Sequence, residues 1–585
     1  MNILGIQTGH DGASALFMGN RLVAYSKEER LTREKGDGTR RRHPGRVLLM
    51  SIDEVLNIAG IESRQVDMVV FSRMSFPLKY FRRTSRPGRN IFRRMLGKSC
   101  GLAVEMRRLQ ERDEGRLLNF DRLRRDLGLR SDTDILFANH HYSHILAALQ
   151  YTTWKSEALL ISSDGGGDGI VQSAYGFDGE RLHLLYGGDD YLLRETGNRY
   201  AASVGHAYQF VTEILGFRPN RHEGKITGLA AFGKPVFGED IRNSFQVSES
   251  GEIGSRFADH GELYRFLEEL SRQATREEMA SSIQYAAERV TLDWIRALLK
   301  RFPAKYIGMS GGVFSNVRLN QHVAELPGIE EVFIVPPMGD EGLPVGNCIH
   351  GVIEREGLAA LPRYRLQDAY FSRVYSSDAL FAEAGGRGFH VHSSDNPADE
   401  AARLLADGYI GAIYTQGMEM GPRALGARSI IASPDDRGLN DSLNQRLGRT
   451  EFMPFAPYVL DVDAERVFKV NDVNRYACRF MTITTDVHEA YQEKIPAVVH
   501  IDGTARPQIV ERETNPLYYD ILDRFKIHSG LPCLVNTSFN AHEEPIINTP
   551  AEAVQALGDH RIDFLVSDGG LVFRGNEPEI IAKLT

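Results

Sequence analysis

Residues 2–27 read NILGIQTGHDGASALFMGNRLVAYSK. Asn2 to Gln7 is an apolar run, GHDGASA a Gly-rich turn, Ala15 to Met18 a second run, and Arg21 to Lys27 a third beyond a GN turn, which predicts a three-strand meander. The pattern returns at 158–186, ALLISSDGGGDGIVQSAYGFDGERLHLLY. Here Ala158 to Ser162 predicts a strand, DGGGDG a turn, and Ile170 to Phe177 and Leu182 to Tyr186 two more strands. Two matching units, each opening on a Gly/Asp turn, predict a duplicated α/β domain with a cleft between its halves.

Between the repeats, Asn139 to Leu149 reads NHHYSHILAAL and follows the apolar run Ile135 to Ala138, a strand-to-helix junction. His140 and His144 are four apart. On a helix that spacing places both imidazoles on one face about one turn apart, as two ligands of one metal ion require. Two histidines satisfied by backbone carbonyls at a helix start are the alternative. Val332 to Val335 predicts a strand ending in PPMGDEGLPVGN, where Asp340 can project into the cleft or cap a helix. With His140 and His144 it would complete a two-histidine, one-carboxylate set that leaves positions open for substrate and suits iron, zinc or manganese. Tyr306 to Met309 predicts another strand, and SGGVFSN leads into an amphipathic helix near Asn316. Gly311 and Gly312 admit close backbone approach, and the helix start favours an anion or a nucleotide's polar edge. Together with Asp164, Gly165 and Gly166 of DGGGDG, these residues outline a nucleotide site.

At 585 residues the chain exceeds one core. The break ALPRYRLQDAY, Ala360 to Tyr370, predicts a first domain over 1–362, a linker over 363–373 and a second domain over 374–585. The 42% hydrophobic and 25% charged composition is that of a soluble globular protein. No apolar run reaches membrane-spanning length, and MNILGIQTGHDG lacks the pattern of a secretory signal, so the expectation is a cytoplasmic protein without a membrane partner. Cys100, Cys348, Cys478 and Cys533 are scattered and read as buried small hydrophobes. The net charge of -9 hides a basic stretch, Lys79 to Arg130, with 16 Lys and Arg against 6 Asp and Glu. Its apolar residues fall near helical spacing, so it reads as a solvated helical face rather than a nucleic-acid surface.

The last third carries TQGMEMGPRALGARSI, with Arg423 and Arg428, then LNQRLGRTEFMPFAP, with Arg446 and Arg449. HIDGTARPQIV, with Arg506, and LPCLVNTSFNAHEEPI, with Asn536, Thr537, Ser538 and Asn540, follow. Arginines in Gly- and Pro-punctuated turns beside amides and hydroxyls at a strand end predict a second anion site, for phosphate or carboxylate.

In chain order GHDGASA, EERLTREK, NHHYSH, DGGGDG, EGKITGLAAFG, SGGVFSN, GDEG, GPRALGARS, RTEFMPFAP, HIDGTARPQ and NTSFN resemble the O-carbamoyltransferases of antibiotic and nodulation-factor biosynthesis. The resemblance spans nearly the whole chain. It implies an α/β architecture of two parts: an N-terminal duplicated actin/Hsp70-like ATPase (ASKHA, Kae1-like) domain similar to the metal-binding enzyme of tRNA threonylcarbamoylation, and a C-terminal YrdC-like domain similar to its acyl-adenylate-forming partner. It implies a two-step reaction, in which carbamoyl phosphate and ATP give carbamoyl-adenylate in the second domain and the carbamoyl group passes to a small-molecule hydroxyl in the first, releasing AMP. Iron(II) at His140, His144 and Asp340 is the implied metal, with Mg2+ accompanying ATP. His10 matches the proposed base on the acceptor hydroxyl and Lys35 a lysine beside the carbamoyl group. Asp164, Gly165, Gly166, Lys225, Gly311, Gly312 and Asn316 fall on the nucleotide motifs of the first domain. Arg423, Arg449, Arg506, Asn536 and Asn540 fall on the carbamoyl phosphate and ATP motifs of the second. Leu447 and Met453 stand where many relatives have a Lys and an Arg, with Arg446 and Arg449 as candidates to replace them. A homodimer is compatible with these features, and no nucleic-acid partner is expected. The alternatives are a nucleotide-dependent RNA modification enzyme of the tRNA-threonylcarbamoyl type and a non-catalytic sugar-kinase-like binding protein.

Overall fold

The meander at 2–27 forms β1 (Asn2–Gln7), β2 (Ala13–Met18) and β3 (Arg21–Lys27), joined by β4 (Met68–Ser72) and β5 (Asp134–Ala138). The structure, a computed structural model, describes residues 1–38, 49–72, 80, 118–188, 199–449, 452–575 and 580. The sheet order is β3-β2-β1-β4-β5, with the meander antiparallel and β4 and β5 parallel to β1.

The second repeat gives β6 (Ala158–Gly167), β7 (Ile170–Phe177) and β8 (Leu182–Tyr186). After a small hairpin, β9 (Phe245–Val247) and β10 (Ile253–Ser255), come β11 (Tyr306–Ser310) and β12 (Glu331–Ile334). Its order, β8-β7-β6-β11-β12, and its strand directions repeat those of the first sheet. This is the duplicated α/β arrangement expected. One detail differs: DGGG is not a turn, because β6 runs on through an irregularity between Ser163 and Gly167, and the chain reverses at Asp168–Gly169. Asp168 (φ +53°) and Asp11 (φ +55°) are both left-handed and both precede glycine, so the two turns match in backbone as well as in place.

Two helices bring the ends of the sheets together. His140–Gln150 packs on β6 and β11 and against helix Leu343–Glu356, which also crosses β1 and β4. The crossings are close enough to require glycine. A Cβ on Gly5 would lie 2.0 Å from the Pro344 carbonyl oxygen, and one on Gly346 1.9 Å from that of Ser143. Asn347 ties the crossing with polar contacts, accepting from Ser143 Oγ at 2.8 Å and donating to the Ile6 carbonyl at 3.1 Å and Ser72 Oγ at 3.0 Å. Under the first sheet lies an apolar core that includes Leu4, Ile6, Val69, Phe71 and Phe137.

The chain divides into two compact units, the first comprising Met1–Thr32 and Gly36–Leu366, the second Arg33–Lys35 and Gln367–Thr585. Tyr370–Val374, which begins in the stretch read as linker, is a strand paired with Gly417–Glu419. The second unit is also α/β. Its mixed eight-stranded sheet runs His390–Ser393, Gly570–Phe573, Phe564–Ser567, Gly411–Tyr414, Arg428–Ala432, Cys533–Ser538, Ala456–Leu460, Gln508–Val510. Helices Pro397–Ala406 and Pro516–Ser529 cover its core, where the rings of Tyr458 and Tyr518 stack at 3.8 Å. Cys348, Cys478 and Cys533 are buried and free; Cys100 and most of the basic stretch, 81–117, lie outside the described residues. No helix among the described residues is long and apolar enough to cross a membrane.

Candidate functional site

The helix carrying the histidines begins where the sequence places it. Asn139 caps it by accepting from Tyr142 N at 2.9 Å, and Asp168 accepts from His140 N at 2.9 Å, so the first turn is anchored to the β6–β7 reversal. Gly167 gives the His140 ring its room, since a Cβ there would stand 2.2 Å from His140 Cγ. His141 points away: its Nε2 donates to the Ile170 carbonyl at 3.1 Å, which leaves Nδ1 to accept from Ser162 Oγ at 2.5 Å. Burial, reinforced by the neighbouring His140 and His144, pushes its pKa well below the usual histidine value.

His140 and His144 share a face with two carboxylates. His140 Nε2 lies 3.1 Å from Asp164 Oδ2 and 3.5 Å from Asp340 Oδ1, and His144 Nε2 lies 3.6 and 3.7 Å from the same atoms. The four ligand atoms are all within 4.8 Å of one another, and both histidines and Asp340 are buried. The tautomer of His144 follows from its surroundings. Ser310 Oγ donates to the Met338 carbonyl at 3.3 Å and therefore accepts from His144 Nδ1 at 3.1 Å. Nε2 is then a lone pair aimed at two carboxylates, and it is buried without a hydrogen-bond partner. A lone pair facing two anions is repulsive, whereas a cation among the four atoms satisfies all of them, so these residues fit a metal ion. Without one, His144 takes up a proton: burial works against the charge, but Asp164 and Asp340 outweigh it and hold its pKa up at about 9. Asp164 is held well below the carboxylate range, burial being overcome by the two imidazoles. The sequence reading assigned Asp164 to the nucleotide; the structure places it with the histidines and Asp340.

His10 stands on the open side of this group. Its Nε2 is 3.3 Å from Asp340 Oδ2, the oxygen not turned toward His140, and its Nδ1 is 3.1 Å from Asp11 Oδ2. Asp340, helped by Asp11, raises its pKa to about 10, although the side chain is 60% exposed and solvent screens the effect. In the metal-free site the two carboxylates thus favour the protonated form of His10. The neutral form that a base requires is favoured once Asp340 gives its charge to a cation. Gln7, fully buried, completes the setting of Asp340 by donating to Oδ2 at 3.4 Å.

Of the nucleotide candidates, Gly311 packs on Ser163, where a Cβ would be 2.2 Å from the carbonyl oxygen, and Gly312 lies beside Asp164 Oδ1. Asp164, Gly165, Gly166, Gly311 and Gly312 therefore converge. Asn316 is used otherwise, capping helix Val317–Ala324 and exchanging two hydrogen bonds with Gln284. Lys225 is buried in helix Glu223–Ala230. Lys35 belongs to the second unit, where neighbouring Arg33 donates to the Pro545 and Ile546 carbonyls.

In the second unit Arg449 is the centre of a cluster. Its Nη1 donates to Thr537 Oγ1 at 2.9 Å, and its Nη2 contacts the Ser538 carbonyl at 2.8 Å and Oδ1 of Asn540 at 2.6 Å. Arg446 instead pairs with Asp563 at 2.9 Å, and Leu447 is buried. Asn536 acts as a buried brace, donating to the Ala424 carbonyl at 3.0 Å and Gln508 Oε1 at 2.8 Å. It thereby joins the turn carrying Arg423 to the strand that follows Arg506. Glu419, absent from the sequence reading, shapes that turn, its Oε1 accepting from the backbone of Leu425, Ala427 and Arg428, while Arg428, read as an anion-site arginine, is buried and stacks 3.7 Å over Tyr414. Thr450 and Glu451 lie outside the described residues.

Residues 2–349 match the carbamoyltransferase N-terminus family and residues 402–574 the carbamoyltransferase C-terminus family. The chain is 32% identical over 471 residues to an uncharacterised protein of Methanocaldococcus jannaschii, covering 77% of this chain and 76% of that one. It is 28% identical over 579 residues to nodulation protein NolNO of Sinorhizobium fredii, covering 96% of this chain and 79% of that one. Among solved structures, T. kodakarensis HypF is similar at a TM-score of 0.33 and 15% identity over 61% of this chain and 48% of that one, a likeness too slight to argue from. With the N-terminal match alone spanning more than half the sequence, the chain belongs to the carbamoyltransferase family and is a transferase.

Proposed function

We propose that the chain is an ATP-dependent O-carbamoyltransferase acting on a hydroxyl of a small-molecule, secondary-metabolite or glycan-type acceptor. The observation that carries this reading is the group His140, His144, Asp164 and Asp340 with His10 at its edge, in a chain that matches both carbamoyltransferase regions. A carbamoyl carbon is a poor electrophile because its nitrogen donates into it, so transfer needs a good leaving group. Carbamoyl-adenylate supplies one. We assign its formation to the second unit: carbamoyl phosphate loses phosphate to water, and the resulting carbamate attacks the α-phosphorus of ATP, expelling pyrophosphate. Arg449, with Thr537, Ser538 and Asn540 around it, and Arg423 and Arg506 are the anion-binding groups proposed for that step.

We assign transfer to the first unit. Iron(II) held by His140, His144, Asp164 and Asp340 would polarise the carbamoyl carbonyl and stabilise charge on its oxygen. An alcohol must lose its proton as it attacks, and we assign that proton to His10 Nε2. Asp340 Oδ2 and Asp11 Oδ2 then stabilise the imidazolium from both sides. Lys35 is proposed to lie beside the carbamoyl group during the reaction.

The experiment is incubation with ATP, Mg2+ and carbamoyl phosphate without acceptor, followed by mass spectrometry. Carbamoyl-adenylate and pyrophosphate are expected. Their absence with iron(II) also supplied would overturn the assignment and point to a different acyl donor.

A further inference from the structure

Three charged groups behind His10 have no part in the chemistry above. Lys27, the last residue of β3, pairs with Ala13 in the sheet and so stands against the β1–β2 turn. Its side chain is 7% exposed, and Nζ lies 3.0 Å from Asp11 Oδ1 and 3.3 Å from Glu29 Oε1. Asp11 gives its other oxygen to His10 Nδ1. Glu29 gives its own other oxygen to the Gly36 N–H at 2.7 Å. Glu341, also buried, faces the same ammonium; burial raises its pKa and works against its charge. Burial works against the Lys27 charge too, but Asp11 and Glu29 outweigh it.

We propose that Lys27 is a positioning residue for carbamoyl transfer: by pinning Asp11, it fixes the His10 imidazole with Nδ1 on Asp11 and Nε2 beside Asp340. The inference rests on His10 being the base, as read above. An imidazole 60% exposed has little packing to hold its ring plane, so its orientation depends on the hydrogen bonds at its two nitrogens. Asp11 can hold Nδ1 only if its own carboxylate is held. Without Lys27, half-buried Asp11 and buried Glu29 become neighbouring anions with no shared cation, and their repulsion drives Asp11 toward solvent, away from His10. The left-handed backbone at Asp11 and the bonds from Gly12 N to the Asp37 carbonyl and from Glu28 N to the Gly12 carbonyl, each 2.8 Å, keep the turn itself in place. The loss therefore falls on the side chain.

Lys27→Met, Lys27→Arg and Asp11→Asn in the full chain test this. Crystal structures of Lys27→Met are expected to show His10 Nδ1 out of hydrogen-bond range of Asp11, with Lys27→Arg restoring the contact. His10 unmoved in Lys27→Met overturns the proposal. Should Lys27→Met fail to fold, Asp11→Asn carries the same test with the shape of the turn retained: the amide is expected to release the ring or turn it over, and a ring unchanged overturns the proposal. Kinetics use water as the nucleophile in place of the unidentified acceptor, reading AMP release from ATP and carbamoyl phosphate. Lys27→Met is expected to lower kcat about 10- to 100-fold with KM unchanged. Lys27→Arg should recover most of the loss, and Lys27→Met should add nothing in a His10→Ala background. An equal loss in Met and Arg variants, or a further loss on top of His10→Ala, assigns Lys27 a structural role and overturns the proposal. If the parent chain makes no adenylate, the functional reading fails while the crystal structures still decide what holds His10.

Discussion

Gly346→Ala tests whether the helix crossing sets the geometry of the metal group. The new Cβ would lie 1.9 Å from the Ser143 carbonyl oxygen, 2.4 Å from its carbon and 2.7 Å from its Cα. That is roughly 1.5 Å short of an ordinary contact. Both partners are backbone, so no rotamer change relieves it and one helix must move. Alanine's helix propensity favours the variant by about 1 kcal/mol. Overpacking costs about 1–3 kcal/mol, and a clash with backbone belongs at the upper end. The clash wins, for a net loss of about 2 kcal/mol. Because Ser143 sits between His140 and His144, displacement by the same amount opens the 3.5 and 3.7 Å spacings to Asp340 to roughly 5 Å. Metal affinity is then expected to fall at least about 10-fold. The assay is a thermal melt of each variant alongside a zinc or cobalt(II) titration, with adenylate formation as the control for the second unit. Gly385→Ala is the comparison, since that glycine has nothing within 4 Å of its Cβ position and the change should stabilise helix Ser377–Gly386 by about 0.4–1 kcal/mol. A Gly346→Ala chain that melts with or above the parent and binds metal with parental affinity refutes the reasoning.

Asp164→Asn and Asp340→Asn are each expected to weaken metal binding about 10- to 100-fold, and parental affinity of Asp164→Asn in the titration would remove Asp164 from the metal group. His140→Ala and Asp340→Ala should abolish transfer while adenylate formation, read by mass spectrometry, persists; loss of both steps together counts against their assignment to separate units. Arg449→Ala should lower adenylate formation about 100-fold, and full retention of that step removes Arg449 from the anion site. In metal-free protein the folded-state pKa of His144, about 9, lies above the unfolded value near 6.5, so its pairing stabilises fully below about pH 6.5 and is lost as pH rises to about 9. The melting temperature of the metal-free chain should fall across that window while metal affinity rises, because binding displaces the same proton. A flat profile contradicts the pairing.

The duplicated meander was legible because strand alternation and Gly/Asp turns are local, and β1, β3, β7 and β8 have the bounds read from sequence. The His140–His144 pair was legible for the same reason, as one helical turn. Lys27 was not, since a lysine at a strand end reads as solvated, and its burial depends on carboxylates at Asp11 and Glu29 that surround it only in the fold. Asp164 sits in a glycine-rich run that suits a phosphate as well as a metal ion, and only its distance to His140 places it. Asn536 shows the converse limit. An amide at a strand end reads alike as ligand or brace, and it is the hydrogen bonds to Ala424 and Gln508 that mark it as a brace.

His140 and Asp340 occupy equivalent places: each opens the helical segment that follows the outermost parallel strand of its sheet, β5 in one half and β12 in the other. His10 stands in the β1–β2 turn, and Asp164 lies in β6, ahead of the reversal at Asp168–Gly169 that matches that turn. The group thus draws its imidazoles, those of His10, His140 and His144, from the first copy and its carboxylates, those of Asp164 and Asp340, from the second. Identical copies would assemble imidazoles alone, with no anion to balance a cation, or carboxylates alone, whose mutual repulsion drives them to share protons. An exact two-fold relation of the halves is therefore incompatible with this mixed group, which exists only where the repeat has been broken.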